Sequence, residues 1–204
     1  DILVIPEAMG MPYSFRESGG IEMSGRIETA EDVAKLDGDG ISEKLQYVGD
    51  SLSLSLNQLG TEKALIGFCG SPWTVATYMI EGGSSRDYSR AISMLTEKPE
   101  LFYSILEKIT TSTIDYLKMQ INAGIDVVQI FDSWGGALTK DTLWEGSAQY
   151  MNEIVKAMVS LGKSLGVKYL TNQEVMSIEL EGKEVSWVET KTNLFHCNLV
   201  VSGA

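Results

Sequence analysis

The sequence predicts an α/β protein in which a sector of parallel strands and helices is followed by a small antiparallel β segment. Two apolar runs, KALIGFCG and IDVVQIFDS, are continuous rather than alternating, which is typical of strands covered on both faces of a parallel sheet. Each run is followed by a segment of helical character, so strand and helix alternate along the first part of the chain. Beyond about residue 160, short strand-like runs replace this alternation.

The first sixty residues predict a strand, an irregular excursion and a helix. The run DILVIP predicts a strand over residues 1–5 that ends at its proline. The excursion that follows has hairpin character and stops near Thr29, which precedes Asp32 by three positions, as a helix cap does. Apolar residues spaced by three and four positions predict an amphipathic helix over residues 41–59, ended by Gly60.

The middle of the chain predicts two further strands, over residues 64–68 and 126–131. Ser71 and Pro72 open the helix after the first of them, because serine is a good N-cap and proline fits the first helical position. Two more helices divide at the Lys-Pro pair of TEKPEL, and another lies within TKDTLWEGSAQYMNEIVKAM. We expect the strands near 1–5, 64–68 and 126–131 to pair in parallel with helices outside them.

The character of the sequence changes near residues 157–165, and we divide the chain there into segments 1–156 and 157–204. Four short strand-like runs follow the division, and one pair is joined around Glu181-Gly182-Lys183 with alternating apolar and polar residues. This pattern predicts a meander of antiparallel hairpins over residues 167–201.

Composition and charge exclude several classes of protein. Hydrophobic content of 44% with 22% charged residues is typical of a globular chain, and no stretch approaches the about 20 apolar residues of a membrane span. A net charge of -12 argues against a nucleic-acid partner. Cys69 and Cys197 lie far apart without metal-ligand spacing, which argues against a disulfide framework or a zinc site and favours the cytoplasm.

Special residues are concentrated in the stretch LIGFCGSPWTVATYMIEGGSSRDY, where Tyr78, Arg86 and four glycines surround one predicted corner. A routine strand-to-helix connection needs only a short turn and a cap. Function in a parallel α/β unit belongs at the carboxyl ends of its strands. The predicted ends carry Asp1, the GFCGSPWT turn, and FDSWGG with Phe131, Asp132 and Ser133.

Two familiar chemistries fit this corner poorly. Ser133 lacks the G-x-S-x-G setting of a nucleophilic serine, and the single histidine, His196, lies in the other segment. The EGGSS sequence lacks the Lys-Ser/Thr pair of a phosphate-binding loop. We therefore interpret it as a loop over a pocket.

The segments DILVIPEAMGM, LIGFCGSPWTVATYMIEGGSS and AGIDVVQIFDSWGGAL, in this order and at these separations, resemble the uroporphyrinogen decarboxylase family over residues 1 to about 156. The resemblance implies a partial (β/α)8 TIM barrel, because a complete barrel takes about 250 residues. It further implies a cytoplasmic homodimer that acts on a tetrapyrrole, uroporphyrinogen III. Such enzymes remove CO2 from its acetate side chains to give coproporphyrinogen III in haem biosynthesis, without a cofactor.

The same resemblance assigns roles to particular residues: Asp1 becomes the catalytic aspartate, Tyr78 and Ser133 bind substrate, and Phe131 lines the cleft. These residue types suit the reaction, because a carboxylate aimed at pyrrole N–H groups stabilises a cationic ring and hydroxyls hold a substrate carboxylate. We expect the four side chains to converge on one cleft. Since the chain is acidic and the substrate is a polyanion, local cations are needed to prevent repulsion.

Residues 157–204 resemble a fragment of the flavin-dependent amine oxidases and carotenoid desaturases. The resemblance offers an alternative function, that of an FAD-dependent oxidoreductase of the amine oxidase or phytoene desaturase type. The chain lacks the G-x-G-x-x-G sequence that holds the FAD pyrophosphate in that group. A non-catalytic fused fragment is the third interpretation.

Overall fold

A computed structural model describes residues 1–60, 63–197 and 200 of the chain. Contacts between Cα atoms divide the chain into two compact units, Asp1–Met158 and Val159–Ala204. In chain order the helices are α1 (Val4–Ala8), α2 (Ala30–Ala34), α3 (Ile41–Lys44), α4 (Gln46–Leu59), α5 (Pro72–Glu81), α6 (Ser89–Glu97), α7 (Pro99–Asn122) and α8 (Gln149–Ser164). The strands are β1 (Tyr13–Phe15), β2 (Ile21–Met23), β3 (Ile66–Gly70), β4 (Val127–Phe131), β5 (Val175–Glu181), β6 (Glu184–Thr190) and β7 (Leu194–His196).

The first unit is organised around the parallel pair β3 and β4. Their register runs from Ile66 opposite Val127 to Gly70 opposite Phe131. Helices α5, α6 and α7 connect the two strands, as a parallel connection requires. The predicted parallel pairing of the runs near 64–68 and 126–131 is thereby confirmed, and so is the α/β class. The partial barrel stays a prediction.

The predicted strand over residues 1–5 is wrong, and so is its expected place in the parallel sheet. Residues Val4–Ala8 form α1, with Leu3, Val4 and Ile5 buried. A short apolar run is equally suited to a buried strand or a buried helix, so periodicity alone cannot distinguish them. Pro6 does not break α1 because it lies in the first turn, where backbone N–H groups have no helical acceptor.

The excursion after α1 contains the antiparallel hairpin β1–β2. Thr29 and Asp32 then form a capping box at the start of α2: the Asp32 N–H donates to Thr29 Oγ1 at 3.3 Å, and the Thr29 N–H donates to Asp32 Oδ2 at 3.1 Å. The helix predicted over 41–59 is present but divided into α3 and α4 at Leu45, whose φ of -102° and ψ of 17° leave the helical region.

Helix α7 is the centre of the hydrophobic core. Its buried apolar residues include Phe102, Ile105, Leu106, Ile109 and Leu117. It packs against α3, α4, α5 and α6 and against strand β3. The predicted division between α6 and α7 at Lys98 and Pro99 is confirmed, as is the Ser71 cap of α5, where Ser71 Oγ accepts the Thr74 N–H at 3.0 Å.

The second unit contains the antiparallel sheet β5–β6–β7. Glu181 pairs with Glu184 across the predicted turn, and Gly182 takes a φ of +68° there. The run at 167–170 forms no strand, because Val167, Tyr169 and Leu170 remain exposed and pair with no strand in the described part of the chain. The end of the predicted meander, at residues 198, 199 and 201, lies outside the described residues.

Candidate active site at the carboxyl ends of strands β3 and β4

The two chain segments that leave β3 and β4 are joined directly. Ser71, the first residue after β3, donates its N–H to the carbonyl of Phe131, the last residue of β4, at 2.8 Å. Two residues on, Trp73 Nε1 donates to the carbonyl of Trp134 at 2.8 Å. The start of α5 and the segment FDSWGG therefore form one corner at the carboxyl edge of the parallel sheet.

Asp132 links the segments of this corner by hydrogen bonds to both oxygens of its carboxylate. Oδ1 accepts the hydroxyls of Ser71 at 2.5 Å and Thr74 at 3.2 Å, and Oδ2 accepts the hydroxyl of Ser147 at 2.8 Å. These hydrogen bonds to a charged acceptor are of the stronger kind. Because Asp132 lies between Phe131 and Ser133, the network fixes the backbone that carries both predicted site residues.

Ser133 lines a surface cavity of about 410 Å³. Arg86 and Tyr88 line the same cavity from the segment before α6, and Trp134 lines it beside Ser133. The rings of Tyr88 and Trp134 lie 5.3 Å apart at an interplanar angle of 33°. Tyr88 has a φ of +54°, a conformation that is uncommon for a residue other than glycine and that often marks functional sites.

Tyr78 approaches this cavity from α5. Its ring centroid lies 6.3 Å from that of Trp134, and its side chain is half-buried. The Trp134 indole Nε1 is buried without an acceptor among the described residues. An unpartnered buried donor costs about 1–3 kcal/mol, so the Trp134 indole carries a local penalty here.

Phe131 points to a different part of the corner. Its ring makes an edge contact with Phe68 at a centroid distance of 5.9 Å, and the side chain is 46% exposed. Ile66 on β3 is also exposed. One face of the β3–β4 pair is therefore an apolar surface open to solvent in the described part of the chain.

Contrary to the prediction, Asp1 does not lie at a strand end but precedes helix α1, where two hydrogen bonds hold it. Its Oδ2 accepts the Tyr13 hydroxyl at 2.7 Å, and its Oδ1 accepts the Leu3 N–H at 2.9 Å. Burial raises the pKa of Tyr13 above its usual value, and the charge of Glu7 adds to the shift, so this hydroxyl remains a donor. The adjacent Ile2 side chain packs at Gly70, where an added Cβ would lie 3.2 Å from the Ile2 Cβ.

The structure thus places Ser133 on the cavity, Tyr78 beside its Trp134 wall, and Asp1 next to the residue that packs on the end of β3. Within the described ranges, no hydrogen bond joins Asp1 to Tyr78 or Ser133. Convergence of the four predicted residues on one cleft stays a prediction.

The EGGSS loop is attached to the hairpin. Gly83 bridges to Glu22, and Ser84 both donates its N–H to the Ile21 carbonyl and accepts the Ile21 N–H at its hydroxyl, each at 2.9 Å. Gly83 has a φ of +140°, and a Cβ there would collide with the Ile21 carbonyl oxygen. The loop is therefore fixed on β2 three residues before Arg86.

The described residues contain no group of three or more His, Cys, Asp or Glu side chains placed to hold a metal ion. Burial raises the pKa of the Cys69 thiol to about 12, so it stays protonated near neutral pH. None of the helices described is both long and apolar enough to cross a membrane.

The sequence placed Asp132 at a predicted strand end but gave it no role, and it gave none to Tyr88 or Trp134. Asp132 stands inside the quoted FDSWGG segment, but its partners Ser71 and Thr74 lie 61 and 58 positions away. The density of special residues from Leu65 to Tyr88 was the available signal for the cavity.

A parallel strand, helical crossover and parallel strand with polar groups at the carboxyl edge define an α/β protein of the kind whose sites lie at strand ends. The model of the family "Uroporphyrinogen decarboxylase (URO-D)" matches residues 1–179. The chain belongs to this family.

Several named uroporphyrinogen decarboxylases are similar to the chain. The protein of Campylobacter jejuni is 49% identical over 154 residues, which are 76% of this chain and 45% of that protein. The protein of Campylobacter curvus is 46% identical over 158 residues, 78% of this chain and 46% of that protein. That of Nautilia profundicola is 46% identical over 156 residues, 76% and 46% of the two chains. The chain spans about half the length of these relatives.

The family match continues past residue 156 to residue 179, so it includes all of α8 and the first residues of β5. This range overlaps the segment that resembles the flavin-dependent oxidoreductases. The flavin resemblance gains no support from the comparisons, and neither does the alternative function that it implied.

Proposed function

We propose that this chain carries part of the substrate-binding and catalytic machinery of a uroporphyrinogen decarboxylase, which converts uroporphyrinogen III to coproporphyrinogen III without a cofactor. The observation that carries the proposal is the corner in which Asp132 fixes the FDSWGG segment while Ser133 lines the cavity. The 49% identity to the Campylobacter jejuni decarboxylase supports the choice of reaction.

The proposed chemistry needs an electron sink next to the scissile bond. When the bond between the acetate methylene and its carboxylate breaks, CO2 leaves and the bonding electrons flow into a protonated pyrrole ring. A proton is then added to the methylene carbon, and loss of the ring proton restores the pyrrole. The carboxylate of Asp1, aimed at the pyrrole N–H groups, stabilises the cationic ring in the transition state.

Hydroxyl groups supply the positioning. Ser133 and Tyr78 donate hydrogen bonds to a substrate carboxylate and hold the ring against Asp1. Trp134 lies 6.3 Å from the Tyr78 ring and lines the cavity next to Ser133. In the proposal, its indole contacts the flat ring of the substrate.

The fold fits successive units of a (β/α)8 barrel. In such a barrel the strands are parallel and sites lie at their carboxyl ends. The exposed face with Ile66, Phe68 and Phe131 then corresponds to the packed interior. A homodimer in the cytoplasm, which the sequence resemblance implied, belongs to the same proposal.

A chimera tests the proposed function. The region of the Campylobacter jejuni decarboxylase that aligns with this chain over 154 residues is replaced by the corresponding residues of this chain. We expect the chimera to form coproporphyrinogen from uroporphyrinogen, and the isolated chain to turn over little because it supplies only part of a barrel. A folded chimera that binds substrate but forms no product would contradict the proposal.

A further inference from the structure

We propose that Arg86 binds a carboxylate of the tetrapyrrole substrate beside Ser133 and so offsets the negative charge of this chain. The inference rests on the proposed function and adds to it a specificity-determining residue. Arg86 and Ser133 line one cavity of about 410 Å³, although they come from segments 47 positions apart in the sequence. A hydroxyl donor and a guanidinium thus face the same space.

The charge of Arg86 is uncommitted. In the part of the chain that the structure describes, no hydrogen bond or ion pair engages its guanidinium. The other arginines differ, since Arg16 pairs with Glu22 at 3.9 Å and Arg90 pairs with Glu28 at 3.4 Å. Arg26 donates from Nε to the carbonyl of Glu81 at 2.9 Å.

Asp87 also lines the cavity, and one of its carboxylate oxygens is hydrogen-bonded to its own chain segment. Its Oδ1 accepts the Ser89 N–H at 3.2 Å and the Ser85 hydroxyl at 3.4 Å. The bond from the Ser89 backbone is the main reason that the pKa of Asp87 is lowered from its usual value. Asp87 therefore binds the first turn of α6 and, within the described residues, forms no ion pair with Arg86, although its carboxylate stays charged.

The segment that presents Arg86 is fixed at both sides. On one side Ser84 is hydrogen-bonded to Ile21 on β2 through two contacts of 2.9 Å. On the other, Tyr88 is held with φ +54° and its ring rests on Trp134. Only the side chain of Arg86 needs to order on binding, which limits the entropic cost.

The chemistry of the ligand follows from the guanidinium. Arginine binds carboxylates through two parallel N–H···O bonds, and the geometry favours a planar anion over a spherical one. A polycarboxylate approaching a chain of net charge -12 gains most from a cation placed where it binds. The acidic side arms of the tetrapyrrole are such carboxylates.

Binding of uroporphyrin, the stable oxidised form of the substrate, tests the inference. Dissociation constants are measured by fluorescence titration for the chain and for Arg86→Gln, Arg86→Lys and Arg90→Gln. We expect Arg86→Gln to weaken binding about fivefold, the effect of an exposed charged contact worth about 1 kcal/mol. Arg86→Lys keeps the charge but loses the fork, and it should retain part of the affinity. Higher salt should shrink the difference.

Arg90→Gln is the matched control. It removes the same positive charge at a position four residues after Arg86, from a side chain that pairs with Glu28. We expect it to bind as the unmodified chain does. Equal affinities of Arg86→Gln and Arg90→Gln would overturn the role of Arg86 and leave the proposed function standing. If the unmodified chain binds no uroporphyrin, both the inference and the substrate-binding part of the proposed function fail.

Discussion

Asp132 shows how one side chain determines the geometry of the candidate site. It accepts three hydroxyls, those of Ser71, Thr74 and Ser147, from two different parts of the chain. Ser71 also caps α5, so the same carboxylate links the helix start to the segment after β4. Loss of Asp132 would leave these hydroxyls without an acceptor.

We predict that Asp132→Ala lowers the free energy of unfolding by about 3 kcal/mol, since hydrogen bonds to a charged group contribute about 1.5–3 kcal/mol each and this site is partly exposed. Urea denaturation followed by circular dichroism gives the value. Asp141→Ala is the control, because it removes the same charge from an exposed position. We expect it to change the free energy of unfolding by less than about 0.5 kcal/mol. Equal losses in the two variants would refute the structural role of Asp132.

The sequence drew attention to several residues at the candidate site and gave no role to others, for a physical reason. Tyr78, Ser133 and Arg86 stand in segments whose composition already marks a corner. Asp132 and Trp134 acquire their roles through partners about sixty positions away, such as Trp73, whose Nε1 donates to the Trp134 carbonyl. No local pattern encodes contacts of that range, so only the folded chain reveals them.

At the scale of elements, the continuous apolar runs predicted β3 and β4 to within two residues of their ends. The equally apolar run at the start of the chain formed α1. The difference lies in the surroundings, because α1 packs against α3 and α7. Tertiary packing decides between strand and helix where a short run suits both.

The EGGSS loop requires glycine at position 83, because there is no space for a side chain there. We predict that Gly83→Ala lowers stability by about 3 kcal/mol, because a Cβ there would meet the Ile21 carbonyl oxygen and lie 3.1 Å from the Glu22 Cα. The measurement is thermal unfolding.

Gly25→Ala is the control for this substitution, since an added Cβ at Gly25 has no atom within 4 Å. Its melting temperature should change little. A Gly83→Ala protein as stable as Gly25→Ala would mean that the loop is not attached to β2 as described.

On the scale of the whole molecule, the acidity of the chain and the charge of its proposed substrate must be reconciled. The net charge is -12, and a polycarboxylate is repelled unless cations lie where it binds. Arg86 at the cavity is one such cation. The chain spans about half the length of its relatives. The complete site is therefore tested in the chimera.

The division of the chain into segments was predicted from a change in sequence texture alone. The antiparallel sheet β5–β6–β7 confirms the meander prediction from residue 175 to 196, whereas the run at 167–170 forms no strand. The change in sequence pattern did not show where the family match ends, because the match to the decarboxylase family continues through α8 into β5. Period-two alternation predicts strands in any family and cannot identify one.

The proposed catalytic role of Asp1 is tested most directly in the chimera with the Campylobacter jejuni decarboxylase. The values of kcat/KM for its Asp1→Ala and Ser133→Ala variants are compared. In the proposed mechanism Asp1 stabilises the cationic ring. Loss of such electrostatic stabilisation lowers the rate by about a hundredfold or more. In the proposed mechanism Ser133 donates one hydrogen bond to a substrate carboxylate at an open cavity. Such bonds to a charged acceptor contribute about 1.5–3 kcal/mol, and we expect a loss of about tenfold, at the lower end of that range. Formation of coproporphyrinogen at substrate concentrations below KM gives both ratios. We predict a far larger loss for Asp1→Ala than for Ser133→Ala; equal activities of the two chimeras would refute the proposed role of Asp1.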